Sequence, residues 1–99
     1  MKRRVEWAEL ALADLLCQIE NIALDNPDAA ARVAAAIRRT GNELGDFATG
    51  HPGRVGGTYE KSVRGLPYII AYKLSDGDKA LSILRVIHTA REWPDETWP

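Results

Sequence analysis

Cysteine is nearly missing from this 99-residue chain: Cys17 stands alone and excludes an internal disulfide. Histidine is as scarce, and His51 and His88 with that one thiol make no spacing that recurs in zinc sites, so no structural metal and no cofactor are expected. No apolar run approaches the roughly 18 residues of a membrane span, because Asp14, Lys73 and Arg85 interrupt the longest candidates. The opening MKRRVEW leads into charged sequence instead of an apolar signal core, so a cytoplasmic protein without membrane partners is expected. Charge of one sign is not in excess either. Thirteen Lys plus Arg against fourteen Asp plus Glu give a formal net charge of -1, and no global field draws the chain to nucleic acid. No G-x-x-x-x-G-K-S/T or G-x-G-x-x-G string follows a strand, which leaves nucleotide binding without support. What remains is ordinary globular usage, 45% hydrophobic and 27% charged, at a length that suits a single domain over residues 1–99.

Period and punctuation organise that domain. Arg3, Val5 and Trp7 alternate with Lys2, Arg4 and Glu6, the period of a strand. From Glu9, Leu12, Leu15, Leu16, Ile19, Ile22 and Ala23 recur at three and four residues and predict a helix running to about Asp25. Asn26-Pro27-Asp28 stacks a capping side chain, a first-turn proline and a first-turn acid, so a second helix starts there and ends near Gly45. Its many alanines permit close approach to the first as an antiparallel hairpin. The string TGHPGRVGG over 49–57 reads as an irregular loop. Three strands follow, at Thr58 to Val63, Tyr68 to Leu74 and Ala80 to Ala90, joined by tight turns into an antiparallel meander. The expected class is α+β in the order β-α-α-β-β-β, a helical hairpin on a small antiparallel-rich sheet. Leu15, Ile19, Val33, Ile37, Ile70, Tyr72, Ile83 and Val86 are its predicted core.

Chemistry has few places to reside. Cys17 falls in the apolar stripe of the first helix and reads as a buried, inert thiol. The second half of the chain is locally basic, and Arg85, His88 and Arg91 are spaced by three, followed by Trp93 and Pro94. Lys61 and Arg64, beside the hairpin before Pro67, extend that set toward one sheet edge, where an arginine fork suits phosphates or carboxylates. The bland alternative is a rim of solvated charges, with His88 structural.

The strings VGGTYEKSVRGLPYIIAYKL from Val55 and LSILRVIHTAREWP from Leu81, with the opening VEW and the NP.AA.RV start of the second helix, resemble the RelE/ParE superfamily of type II toxin-antitoxin toxins over nearly the whole chain. The resemblance implies the fold read above, and a growth-inhibiting toxin, of the kind that stabilises plasmids, neutralised by a cognate antitoxin. The antitoxin's extended segment is expected across the helical hairpin and sheet edge. RelE-type members cut messenger RNA on the ribosome and ParE-type members poison DNA gyrase. For an endoribonuclease, Glu60 would serve as base, Arg64 and Arg91 as phosphate clamps and His88 as acid, similar to the Glu/Arg/His sites of YoeB-like relatives. Ile69 stands where the third-strand arginine of that pattern would be, and no tyrosine follows Arg91. A gyrase poison needs no catalytic set, so ParE-like action is the preferred reading. Lys61, Arg64, Arg85, Arg91 and Trp93 are then target-contact candidates, within a sensitive stretch from Arg91 to Trp98. RelE-like cleavage with ribosome and messenger RNA as partners is the alternative, and an inactive antitoxin-binding fold a third.

Overall fold

A computed structural model describes residues 3–75, 77 and 79–89. The chain runs β1 (Arg4–Trp7), α1 (Glu9–Asp25), α2 (Pro27–Glu43), β2 (His51–Pro52), β3 (Tyr59–Ser62), β4 (Tyr68–Ser75) and β5 (Ala80–His88). The five strands form one sheet in the order β1-β5-β4-β3-β2. The three pairings from β2 to β5 are antiparallel, and β1 lies parallel to β5 with Val5 opposite Leu81 and Trp7 opposite Ile83. The first strand thus closes onto the last.

The break between the helices is chemical. The Asn26 side chain accepts a hydrogen bond from the Ala29 N–H at 3.0 Å, Pro27 takes the first helical position and Asp28 faces the positive end of the α2 dipole. Gly41 then lets the sheet approach: a Cβ there would lie 2.6 Å from the Trp7 ring and 2.8 Å from Ile83 Cδ1. Gly41→Ala gains helix propensity but drives a methyl against the Trp7 indole and the Ile83 side chain, which must shift to admit it. The expected net loss is about 1 to 3 kcal/mol, read as a lower urea midpoint at unchanged slope.

The core gathers Ala11, Ile37, Leu44, Ile70, Tyr72, Leu81, Ile83 and Val86, each at most 2% exposed, with Leu15 and Val33 packed against it half-buried. Ile37, Ile70, Tyr72, Ile83 and Val86 take the places the periodicity gave them, while Ile19 is only half-buried. Two further expectations are corrected, and the last strand adds an irregularity. The stripe of α1 is rotated, so that Ala11 and Gln18 are buried while Leu12, Leu16 and Cys17 face solvent. The apolar arc from Leu12 to Ala23 is wider than the surface available to it, and Asp14, bonded to β5, fixes which part turns inward. The glycine-rich loop contains a strand: His51 and Pro52 pair with Glu60 and Tyr59. Finally, β5 does not alternate simply. A register step sets Ala71 opposite Arg85 but Tyr72 opposite Ile83, leaving Leu84 as the extra, buried residue of a bulge.

Candidate functional site

Arg64 and His88 come to the same end of the sheet. Arg64 is exposed in the turn between β3 and β4, which is closed by the Val63 N–H to the Tyr68 carbonyl at 2.9 Å and tightened by Gly65 at φ 75°. His88 lies opposite Tyr68 in the register, half-buried, with its ring edge-on to the tyrosine at 5.2 Å. The Thr89 N–H bonds the Pro67 carbonyl at 2.9 Å and holds the exit of β5 against that turn. Arg91 and Trp93 lie outside the described residues.

Glu60 and Lys61 are adjacent on β3 and therefore point to opposite faces. Glu60 is 7% exposed and its carboxylate accepts the Arg54 N–H at 2.8 Å; a Cβ on Gly53 would come within 3.1 Å of that oxygen. It clamps the loop that follows β2. Tyr72 holds the approach to β2 on its other side, its phenolic oxygen accepting the Gly50 N–H at 2.9 Å while its ring stacks on Tyr59 at 5.6 Å. Burial raises the Tyr72 pKa above the ordinary phenol value, and the Gly50 N–H partly offsets that rise. Lys61, on the other face, lines an open groove of about 370 Å³ with Thr40, Glu43, Asp46, Phe47 and Thr49 at the C-terminal end of α2.

Arg85 is committed within the fold. Its Nε and Nη2 donate to the Asp14 Oδ2 and Oδ1 at 2.7 and 2.8 Å, and the Val86 N–H donates to Oδ2 at 3.0 Å. The two side chains are 12% and 17% exposed. The bond to Asp14 raises the Arg85 pKa, so the guanidinium holds its charge more firmly than in water. β1 pairs with β5 only as far as Ile83, and the α1 carboxylate takes the next outward N–H of the edge, where a sheet partner has run out. Asp14 was not singled out from the sequence. The signal was there: a carboxylate between Leu12 and Leu15 in an apolar stripe calls for a cation or a donor opposite it.

A second surface lies on the hairpin. Leu12 and Leu16 on α1 are 50% and 59% exposed, and a groove of about 330 Å³ beside them is lined by Trp7, Leu12, Leu15, Arg38 and Asn42. The Trp7 indole N–H reaches the Asn42 carboxamide oxygen at 3.4 Å along its floor. Among the described residues no group of His, Cys, Asp and Glu side chains converges as a metal site, and no helix is long and apolar enough to cross a membrane.

The model of the family described as "ParE toxin of type II toxin-antitoxin system, parDE" matches residues 5–93. A protein of Sinorhizobium fredii (strain NBRC 101917 / NGR234) named "Putative toxin Y4kP" is 38% identical over 94 residues, spanning 94% of this chain and 95% of that protein. Among solved structures, the chromosomal ParDE TA system from P. aeruginosa superposes with a TM-score of 0.80 at 21% identity, covering 88% of this chain and 96% of that one, which shows the shared fold. The toxin-antitoxin complex RelBE2 from Mycobacterium tuberculosis gives a TM-score of 0.62 at 25% identity, covering 89% and 99%. A helical hairpin on this mixed five-stranded sheet, matched from the first strand to beyond the last, identifies the chain as a member of the ParE toxin family, the toxin component of a type II toxin-antitoxin module.

Proposed function

We propose that this toxin inhibits DNA gyrase through the sheet end that carries Arg64 and His88 and through the segment beyond it, with Arg91 and Trp93 as contacts, and that a cognate antitoxin neutralises it by covering the α1–α2 hairpin. The observation that carries the target is the state of Glu60. A general base for attack by a 2′-hydroxyl must reach the substrate, and this carboxylate is buried with an oxygen occupied by the Arg54 N–H. Arg85, tied to Asp14, is likewise withdrawn from a phosphate-binding role and serves the fold. Lys61 sits on the face opposite Glu60 and joins the target surface only as a peripheral contact. Gyrase poisoning asks for surface complementarity instead of a proton-transfer set, and an exposed arginine beside a half-buried histidine supplies a contact surface.

The antitoxin reading rests on exposed apolar area. An amphipathic segment that folds on binding would cover Leu12 and Leu16, offsetting its own ordering entropy by burial. One geometric fact favours the second reading, ribosome-dependent cleavage of messenger RNA: Arg64 and His88 share a sheet end, as a phosphate clamp and an acid would need to.

Induction of the toxin without its antitoxin separates the two. Gyrase inhibition predicts intact messages by primer extension, cleaved DNA bound to gyrase, and undiminished toxicity in Glu60→Gln. Codon-dependent cuts in translated messages that fall roughly a hundredfold or more in Arg91→Ala would overturn it, since loss of one electrostatic contact to the transition state has that size.

A further inference from the structure

The outer face of α1 combines exposed leucines with one sign of charge. Leu12, Leu16 and Leu24 are 50%, 59% and 83% exposed. At 3.6 residues per turn Glu9 and Glu20 fall within about 40° of Leu16 around the helix axis, so both exposed carboxylates flank the leucines. α1 contains Glu9, Asp14, Glu20 and Asp25 and no lysine or arginine; Asp14 is turned inward onto Arg85, leaving the others at the surface. Across the groove that Leu12 lines, the wall contributed by α2 carries Arg38 and Asn42. The rim is therefore polarised, acidic along α1 and cationic along α2.

From this polarity we infer the chemistry of the neutralising segment: an amphipathic helix whose leucine-rich stripe seats on Leu12 and Leu16, with lysines or arginines along the edge that meets Glu9 and Glu20 and a carboxylate along the edge that meets Arg38. The inference rests on the antitoxin docking over the hairpin and adds the charge code that selects and orients it. Apolar burial supplies most of the affinity, while rim charges decide partner, direction and association rate. A second copy of this chain fits poorly, because α1 against α1 would set carboxylates against carboxylates.

The test uses the purified full chain and two synthetic helical peptides of about 20 residues with the same leucine stripe, one edged with lysine and one with glutamate. Binding is read from the fluorescence anisotropy of each labelled peptide as the chain is added. The lysine-edged peptide is expected to bind on the order of tenfold more tightly than the glutamate-edged one at low salt and to lose its advantage as salt rises. The Glu9→Lys/Glu20→Lys double variant, altered only at exposed positions and checked by circular dichroism for folding, should reverse the preference. Equal binding of both peptides to the wild-type chain, or an unchanged preference in the double variant, overturns the charge code. Leu12→Asp/Leu16→Asp addresses the underlying reading separately: if the antitoxin encoded beside the toxin still neutralises that folded variant, docking over the hairpin itself is wrong, whatever the peptides do.

Discussion

Asp14→Ala is expected to lower folding stability by about 3 to 5 kcal/mol, the usual cost of removing one partner from a largely buried ion pair. The aspartate is 17% exposed and the arginine 12%. Removing the carboxylate takes the bidentate Asp14 contact from a guanidinium with little access to water and also deprives the Val86 N–H of its acceptor. A domain of this length loses roughly 4 to 8 °C of melting temperature per kcal/mol, so the variant should melt well over 10 °C below the parent. The pair is held by mutual satisfaction, hence Asp14→Leu combined with Arg85→Met should regain much of the loss. A melting curve for Asp14→Ala within about 0.5 kcal/mol of the parent would show that the bidentate contact does not persist in solution.

Ile37→Ala should cost about 2 to 5 kcal/mol. Ile37 is fully buried in the core shared by α2 and the sheet, where Trp7 and Ile83 already crowd the neighbouring turn at Gly41. Tight walls relax little into a cavity, which places the expected loss in the upper part of that range. Ile37→Val removes one methylene and should cost about 0.5 to 1.5 kcal/mol. Chemical denaturation of the pair gives the decisive ratio: a cavity site shows a several-fold difference between the two, whereas equal and small losses would remove Ile37 from the core.

Much of this architecture was legible because its determinants are local. Asn26-Pro27-Asp28 marks the helix junction by capping alone, and the alternation of Tyr68, Ile70 and Tyr72 shows which face of β4 is buried. The unread parts depend on distant partners. Nothing near Val5 states that Leu81 will lie beside it in parallel, and no glycine or proline marks the bulge at Leu84. Two residues of a glycine-rich loop become β2 because β3 offers them an edge, against their own propensity. Leu16 and Cys17 looked like core from period alone; the contact between Asp14 and Arg85, 71 residues apart, rolls α1 the other way. The candidate site was legible as a set of residue types, and the structure sorted it: Arg64 and His88 to one sheet end, Glu60 under a loop, Arg85 into the scaffold.

The parallel pairing of β1 with β5 also sets a timetable for synthesis. The first strand is complete at Trp7, yet its partner begins only at Ala80. At about 5 to 20 residues per second the ribosome takes roughly 4 to 15 s to cross that interval. In the later half of it the nascent chain holds the complete α1–α2 segment, with Leu12 and Leu16, but at first lacks the turn of Arg64 and lacks His88 for all of it. On the proposal that the antitoxin docks over the hairpin, the segment it would cover is synthesised before the sheet end that would engage a target, so neutralisation would have a foothold on a chain that is not yet complete.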